Sequence, residues 1–145
     1  MNKPGSLRAA IAAAAPELKT SPDKFNVFID GGTIVSISTS MPSFEYRCTI
    51  NLILLDFAGD ADQVFIALLA WVRTNQPDLM DNDTLRQSAI KFEVDHLNNE
   101  TCDISITLPL TESVRVTRDA AGAYQVQHLQ EPVPDWRTTG SLVAL

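Results

Sequence analysis

The sequence predicts an α+β fold: a mainly antiparallel β-sheet, a mixed sheet being left open, with two main helices packed on it. Three observations carry this. Apolar and polar residues alternate through 44–54, 90–96 and 102–110, the period of strands with one buried face. Apolar residues recur at three- and four-residue steps in 62–74 and in 6–15, the period of a helix with one apolar side. Short, turn-rich gaps separate successive strand signals, which reads as hairpins. At 145 residues the chain is long enough for one domain with its own core. Residues 1–131 are expected to form a single α+β domain and 132–145 an extended C-terminal tail.

Ser6 can cap the first helix, whose apolar positions are Leu7, Ile11 and Ala14. Pro16 would clash with the carbonyl of Ala12 and end it. Lys3 and Arg8 ahead of the alanine run loosely imitate a secretory signal, but the apolar stretch is short and Pro16 disfavours cleavage, so none is expected. No stretch approaches the ~18 apolar residues of a spanning helix.

Phe25, Val27 and Ile29 alternate with polar residues, Asp30-Gly31-Gly32 intervenes, and Val35 and Ile37 resume the pattern. This predicts a hairpin with a three-residue loop, Val27 opposite Val35 and Gly32 in the left-handed conformation. The next strand, from Phe44, has every even position apolar or aromatic up to Leu54. Ile53, Leu55 and Phe57 then make both faces apolar, which places its end in a sheet centre or an inter-subunit contact. Asp60 opens the principal helix, with Gln63 completing a near capping box and Val64, Phe65, Leu68, Leu69, Trp71 and Val72 forming its apolar face. Residues 75–83 read as a polar loop. Two further hairpins follow, with Val94 set opposite Cys102, and Val114 and Val116 facing Tyr124 and Val126.

Eleven Lys+Arg against eighteen Asp+Glu give a formal charge of −7 and a pI near 4.6. A dedicated nucleic-acid binder or anionic-lipid binder carries the opposite balance. Cys48 and Cys102 fall in alternating apolar segments, where an unpaired thiol behaves as a small hydrophobe. Asp81-Asn82-Asp83 opens like a calcium loop, but Arg86 and Phe92 occupy the positions that require Gly and Glu. Asp56, Asp60 and Asp62 surround a helix start, where carboxylates cap. His96 and Cys102 form the one nucleophile-and-base pairing of that type, with nothing nearby to stabilise an oxyanion. No catalytic, cofactor-binding or metal-binding residues are therefore expected, and the chain is not read as an enzyme.

Five segments together carry a family resemblance: 6–18 (SLRAAIAAAAPEL), 44–60 (FEYRCTINLILLDFAGD), 68–79 (LLAWVRTNQPDL), 90–115 (IKFEVDHLNNETCDISITLPLTESVR) and 128–132 (HLQEP). On these the chain resembles the tail completion protein R family of P2-like contractile-tailed phages and their prophages. The matching motifs are packing and turn residues, not catalytic signatures.

The resemblance implies a tail-terminator-like virion protein that completes the head-proximal end of the tail tube and prepares it for head-tail joining. It implies a hexameric ring of copies, with tail tube and sheath proteins and head completion or connector proteins as partners. DNA would be passing cargo, and assembly would take place in the host bacterial cytoplasm. An acidic lumen would keep that DNA from sticking. No interface motif comes with the resemblance. The expected contacts are instead Trp136 with Leu142, Val143 and Leu145 in the tail, and Gln76, Pro77, Leu79 and Met80 in the 75–83 loop. The competing reading is a head-tail adaptor or an assembly chaperone.

Overall fold

The computed structural model describes residues 1–96 and 98–131. Helices α1 (Lys3–Ala14) and α2 (Glu17–Thr20) lead into strands β1 (Phe25–Ser36) and β2 (Phe44–Phe57). Helices α3 (Ala61–Asn75), α4 (Asp78–Asp81) and α5 (Asp83–Ser88) follow, then strands β3 (Lys91–His96), β4 (Cys102–Arg118) and β5 (Tyr124–His128). The fold is α+β. Among the described residues five strands run in the order β1-β2-β4-β3, with β5 also on β4, and their four pairings are antiparallel.

β2 and β4 form the spine. Their inward residues Ile50, Leu52, Leu54, Ile104, Ile106 and Leu108 are completely or almost completely buried. They pack beneath Leu7 and Ile11 of α1 and Val64, Leu68, Trp71 and Val72 of α3. Asp60 caps α3 by accepting from the Asp62 backbone N–H at 2.9 Å. Asn82 caps α5 by accepting from Thr84 and Leu85. Ser6 is not a cap: α1 begins at Lys3 with Pro in its first turn, where a missing N–H costs nothing. The Ser6 hydroxyl accepts from Trp71 Nε1 at 2.9 Å instead.

The hairpin expected at Asp30-Gly31-Gly32 is absent. Residues 25–36 are one strand pairing along its length with β2, and the register shifts once, between Ile29 and Gly31. Pairing with β2 satisfies a long ladder and buries Phe25 opposite Leu54, which two short arms folded on each other could not match. The bulge reverses the alternation. Before it Phe25, Val27 and Ile29 lie across from the inward β2 residues, and after it Gly32 and Ile34 do, so Ile34 and not Val35 shares that face.

Gly31 has φ +142°, a conformation that favours glycine. Gly32 lies hard against the Arg47 carbonyl and the Cys48 backbone, with no room for a Cβ. Gly32→Ala should therefore push β1 off β2 and cost about 1–3 kcal/mol. Urea unfolding followed by circular dichroism measures this, and an unchanged midpoint would refute the close approach.

A second bulge, between Leu54 and Phe57 of β2, turns Phe57 inward, where it is buried, and leaves Leu55 exposed. Its Asp56 has φ 52°, and its N–H donates to Asp103 Oδ1 at 2.8 Å. The β3–β4 turn keeps the expected parity but shifts by two residues, setting His96 opposite Cys102 and Val94 opposite Ile104. Asn98 organises this turn by accepting from the N–H groups of Glu100 and Thr101. The 75–83 stretch is no loop, since it contains α4 and the start of α5.

Candidate functional site

β3 covers one end of the outer edge of β4, residues 102–107, and β5 covers the other, residues 114–118. The backbone between them needs other partners, because buried peptide groups are costly when unpaired. Gln76, at the C-terminus of α3, reaches into this gap. Its Oε1 accepts from the Thr111 N–H at 3.0 Å, and its Nε2 donates to Thr111 Oγ1 at 2.9 Å and Asp78 Oδ1 at 2.8 Å. Lys3, only 7% exposed, completes the plug. Its ammonium donates to Gln76 Oε1 at 2.8 Å, to the Thr111 carbonyl at 2.5 Å and to Glu131 at 3.0 Å.

Next to this plug, Glu112 projects from β4 under the N-terminus of α1 and is 4% exposed. It accepts from the Asn2 N–H at 2.9 Å and the Lys3 N–H at 2.8 Å, replacing the side-chain cap that Asn2 does not supply. His128 Nδ1 of β5 donates to its other side at 2.7 Å. Burial pushes the Glu112 carboxyl up. The N–H groups of Lys3 and Asn2, the His128 bond and the terminal ammonium outweigh it and hold the group below its ordinary value. An ionised carboxylate at a helix N-terminus also suits the helix dipole. Asn2, Lys3, Glu112 and residues 128–131 line a cleft of about 260 Å³.

Chemically this cluster is a lock. One carboxylate and one ammonium join α1, the end of α3, β4 and β5, and their bonding groups are taken up inside the chain. The signal for it in the sequence is a break in the β4 alternation, where Glu112 stands among Leu108, Leu110, Val114 and Val116. His128 had no evident partner in the sequence because Glu112 lies 16 residues away.

Of the expected contact residues, Gln76 is 2% exposed and Leu79 is equally buried. Both face inward, since α4 folds back on the core, and so do not form the outward loop that was expected. Pro77 and Met80 are half-buried. Trp136, Leu142, Val143 and Leu145 lie outside the described residues. His96 and Cys102 sit opposite each other across β3 and β4, with His96 exposed and the Cys102 thiol 3.9 Å from the Phe57 carbonyl. Cys48 is buried, and burial with the charge of Glu112 pushes its thiol up, away from the reactive thiolate. Among the described residues no three His, Cys, Asp or Glu side chains form a metal-holding group, and no helix is long and apolar enough to cross a membrane.

Several large apolar side chains are exposed, Phe92 and Val126 at positions of the strand alternation and Ile34 and Ile66 at positions off the expected apolar faces. Ile34 on β1 is 68% exposed and Val126 on β5 is 61% exposed. Phe92 of β3 and Ile66 of α3 are also largely uncovered, the Phe92 ring meeting Phe65 edge-on at 5.3 Å between centroids.

Fold and cluster together define a small α+β protein whose inward-facing polar groups tie its elements to one another. The chain belongs to the P2 phage tail completion protein R (GpR) family, which matches residues 1–132. It is 43% identical over 134 residues to tail completion protein R of Escherichia phage P2, covering 92% of this chain and 86% of that protein. No solved structure matches it.

Proposed function

We propose that the protein completes the head-proximal end of a contractile phage tail. In this reading it is a ring of copies set on the tail tube, near the sheath, that offers its other side to head completion or connector proteins. The observation that carries it is the family match across residues 1–132, a span that contains every described helix and strand. The exposed side chains of Ile34, Phe92 and Val126 would give such copies apolar surface to bury against one another. A ring subunit needs such side surfaces and no active site. The role is structural, in the virion, with DNA passing through as cargo.

Light scattering coupled to gel filtration, with negative-stain images of the same peak, tests the reading. The expected result is a particle of about six times the 15.9 kDa chain with a central hole, or a monomer that closes into that ring on assembled tails. A protein that stays monomeric and binds tails only transiently would overturn it in favour of an adaptor or chaperone.

A further inference from the structure

The outer face of α3 changes character along its length. Asp62 near its start and Arg73 and Thr74 near its end are exposed and polar, as the solvent side of a surface helix ordinarily is. Between them the face is apolar. Ile66 is 59% and Leu69 43% exposed, and with exposed Ala70 they stand three and four residues apart on one side of the helix. An indole is large enough to cover all three.

We propose that residues 132–145 of the same molecule fold back along α3 and seat Trp136 on Ile66, Leu69 and Ala70. Three observations select this segment as the occupant. The first is where the described chain stops. Glu131 is held 3.0 Å from the Lys3 ammonium, in the cleft that Thr74 and Asn75 of the last turn of α3 also line, so the segment starts beside the C-terminal end of that helix. The second is heading and reach. Residues 124–128 run along β4 from Arg118 back to Val114, the Leu129 N–H donates to the Ser113 carbonyl, and Glu131 shares Lys3 with the Thr111 carbonyl. The chain is therefore heading toward the Cys102 end of β4. α3 begins at that end, shortly after Phe57, which pairs with Cys102, and Gln76, just past its last residue, bonds Thr111. A path back along the helix continues the same heading. Ile66 lies nine residues before Asn75, about 14 Å along a helix. Trp136 lies five residues beyond Glu131, about 17 Å of extended chain. The third is the order of charge. Asp135 precedes Trp136 and Arg137 follows it, so a segment running against α3 brings the carboxylate toward Arg73 and the guanidinium toward Asp62, a match of sign that fixes direction. The contact lies within one molecule and is independent of how copies assemble.

The chain has two tryptophans, so Trp71→Phe leaves Trp136 as the sole indole emitter. In that full-length background Trp136 should emit at short wavelength and resist quenching by acrylamide. Adding Ile66→Asp or Leu69→Asp, both at exposed positions, should move emission and quenching to those of an indole in water while circular dichroism stays unchanged. If Trp71→Phe does not fold, fluorine NMR of wild type labelled with 5-fluorotryptophan reads the same exposure, the Trp136 resonance being assigned with Trp136→Phe. A Trp136 that is solvent-exposed in the folded parent, or that stays shielded after either aspartate is introduced, overturns the proposal. Refolding the Leu69→Asp chain together with an excess of chain that lacks both tryptophans and keeps Leu69 separates one molecule from two. Emission unchanged by the mixing supports the intramolecular contact. Shielding that returns on mixing places the segment on a second copy and overturns it.

Discussion

Trp71→Ala is expected to cost about 3–5 kcal/mol, a large share of the ~5–15 kcal/mol that holds a domain of this size together. Trp71 is 6% exposed, and its indole N–H donates to the Ser6 hydroxyl at 2.9 Å. Removing it opens a void between α1 and α3 and leaves the sheet under a loosened cover. Trp71→Phe removes the hydrogen bond and the pyrrole part of the indole but keeps a six-membered ring in the site. Its cost should be about 1 kcal/mol. Urea unfolding followed by circular dichroism gives both numbers, and equal losses for the two variants would mean that the packing argument is wrong.

Glu112→Ala should cost about 3 kcal/mol. The substitution leaves the Asn2 and Lys3 N–H groups and the His128 ring without their acceptor, while the Lys3 ammonium keeps Glu131. Glu112→Gln retains one acceptor oxygen and should lose less. The pH dependence has a definite sign. Folding holds the Glu112 carboxyl below its ordinary value, so the unfolded chain binds the proton more readily. The stabilisation is complete above the ordinary glutamate range and disappears as pH falls through the depressed value. The stability difference between wild type and Glu112→Gln should therefore shrink from neutral pH to about pH 3. A difference that stays constant across that range would show that charge plays no part in the lock.

The same residue illustrates what can be read from a sequence and what cannot. The apolar alternation of 102–110 and 44–54 identified β4 and β2 and their inward faces, because alternation reports on one residue and its immediate neighbours. Glu112 interrupts that pattern visibly, but its partners Asn2 and Lys3 are about 110 residues away, and nothing local names them. Gln76 looked like a surface residue of a polar loop for the same reason. Its partners Lys3 and Thr111 come from a helix and a strand that meet it only after the sheet has assembled. Asp30-Gly31-Gly32 is compatible with a turn and with a bulge, and the choice went to the conformation that lets β1 pair along β2. Whether Phe92 and Val126 were core or surface was undecidable from alternation, since it shows which face a residue takes and not how far the helices extend over that face.

The sequence by itself determined the α+β class, the positions of the two main helices and of the β2 and β4 strands, and the family to which the chain belongs. These follow from periodicity, capping and matching segments, all of which are properties of neighbouring residues. Only the tertiary structure decided the strand order, the two bulges, the lock around Glu112 and Lys3, and which apolar residues remain in water. Each of those is fixed by contacts between residues far apart in the chain, where burial and hydrogen-bond satisfaction outweigh local preference.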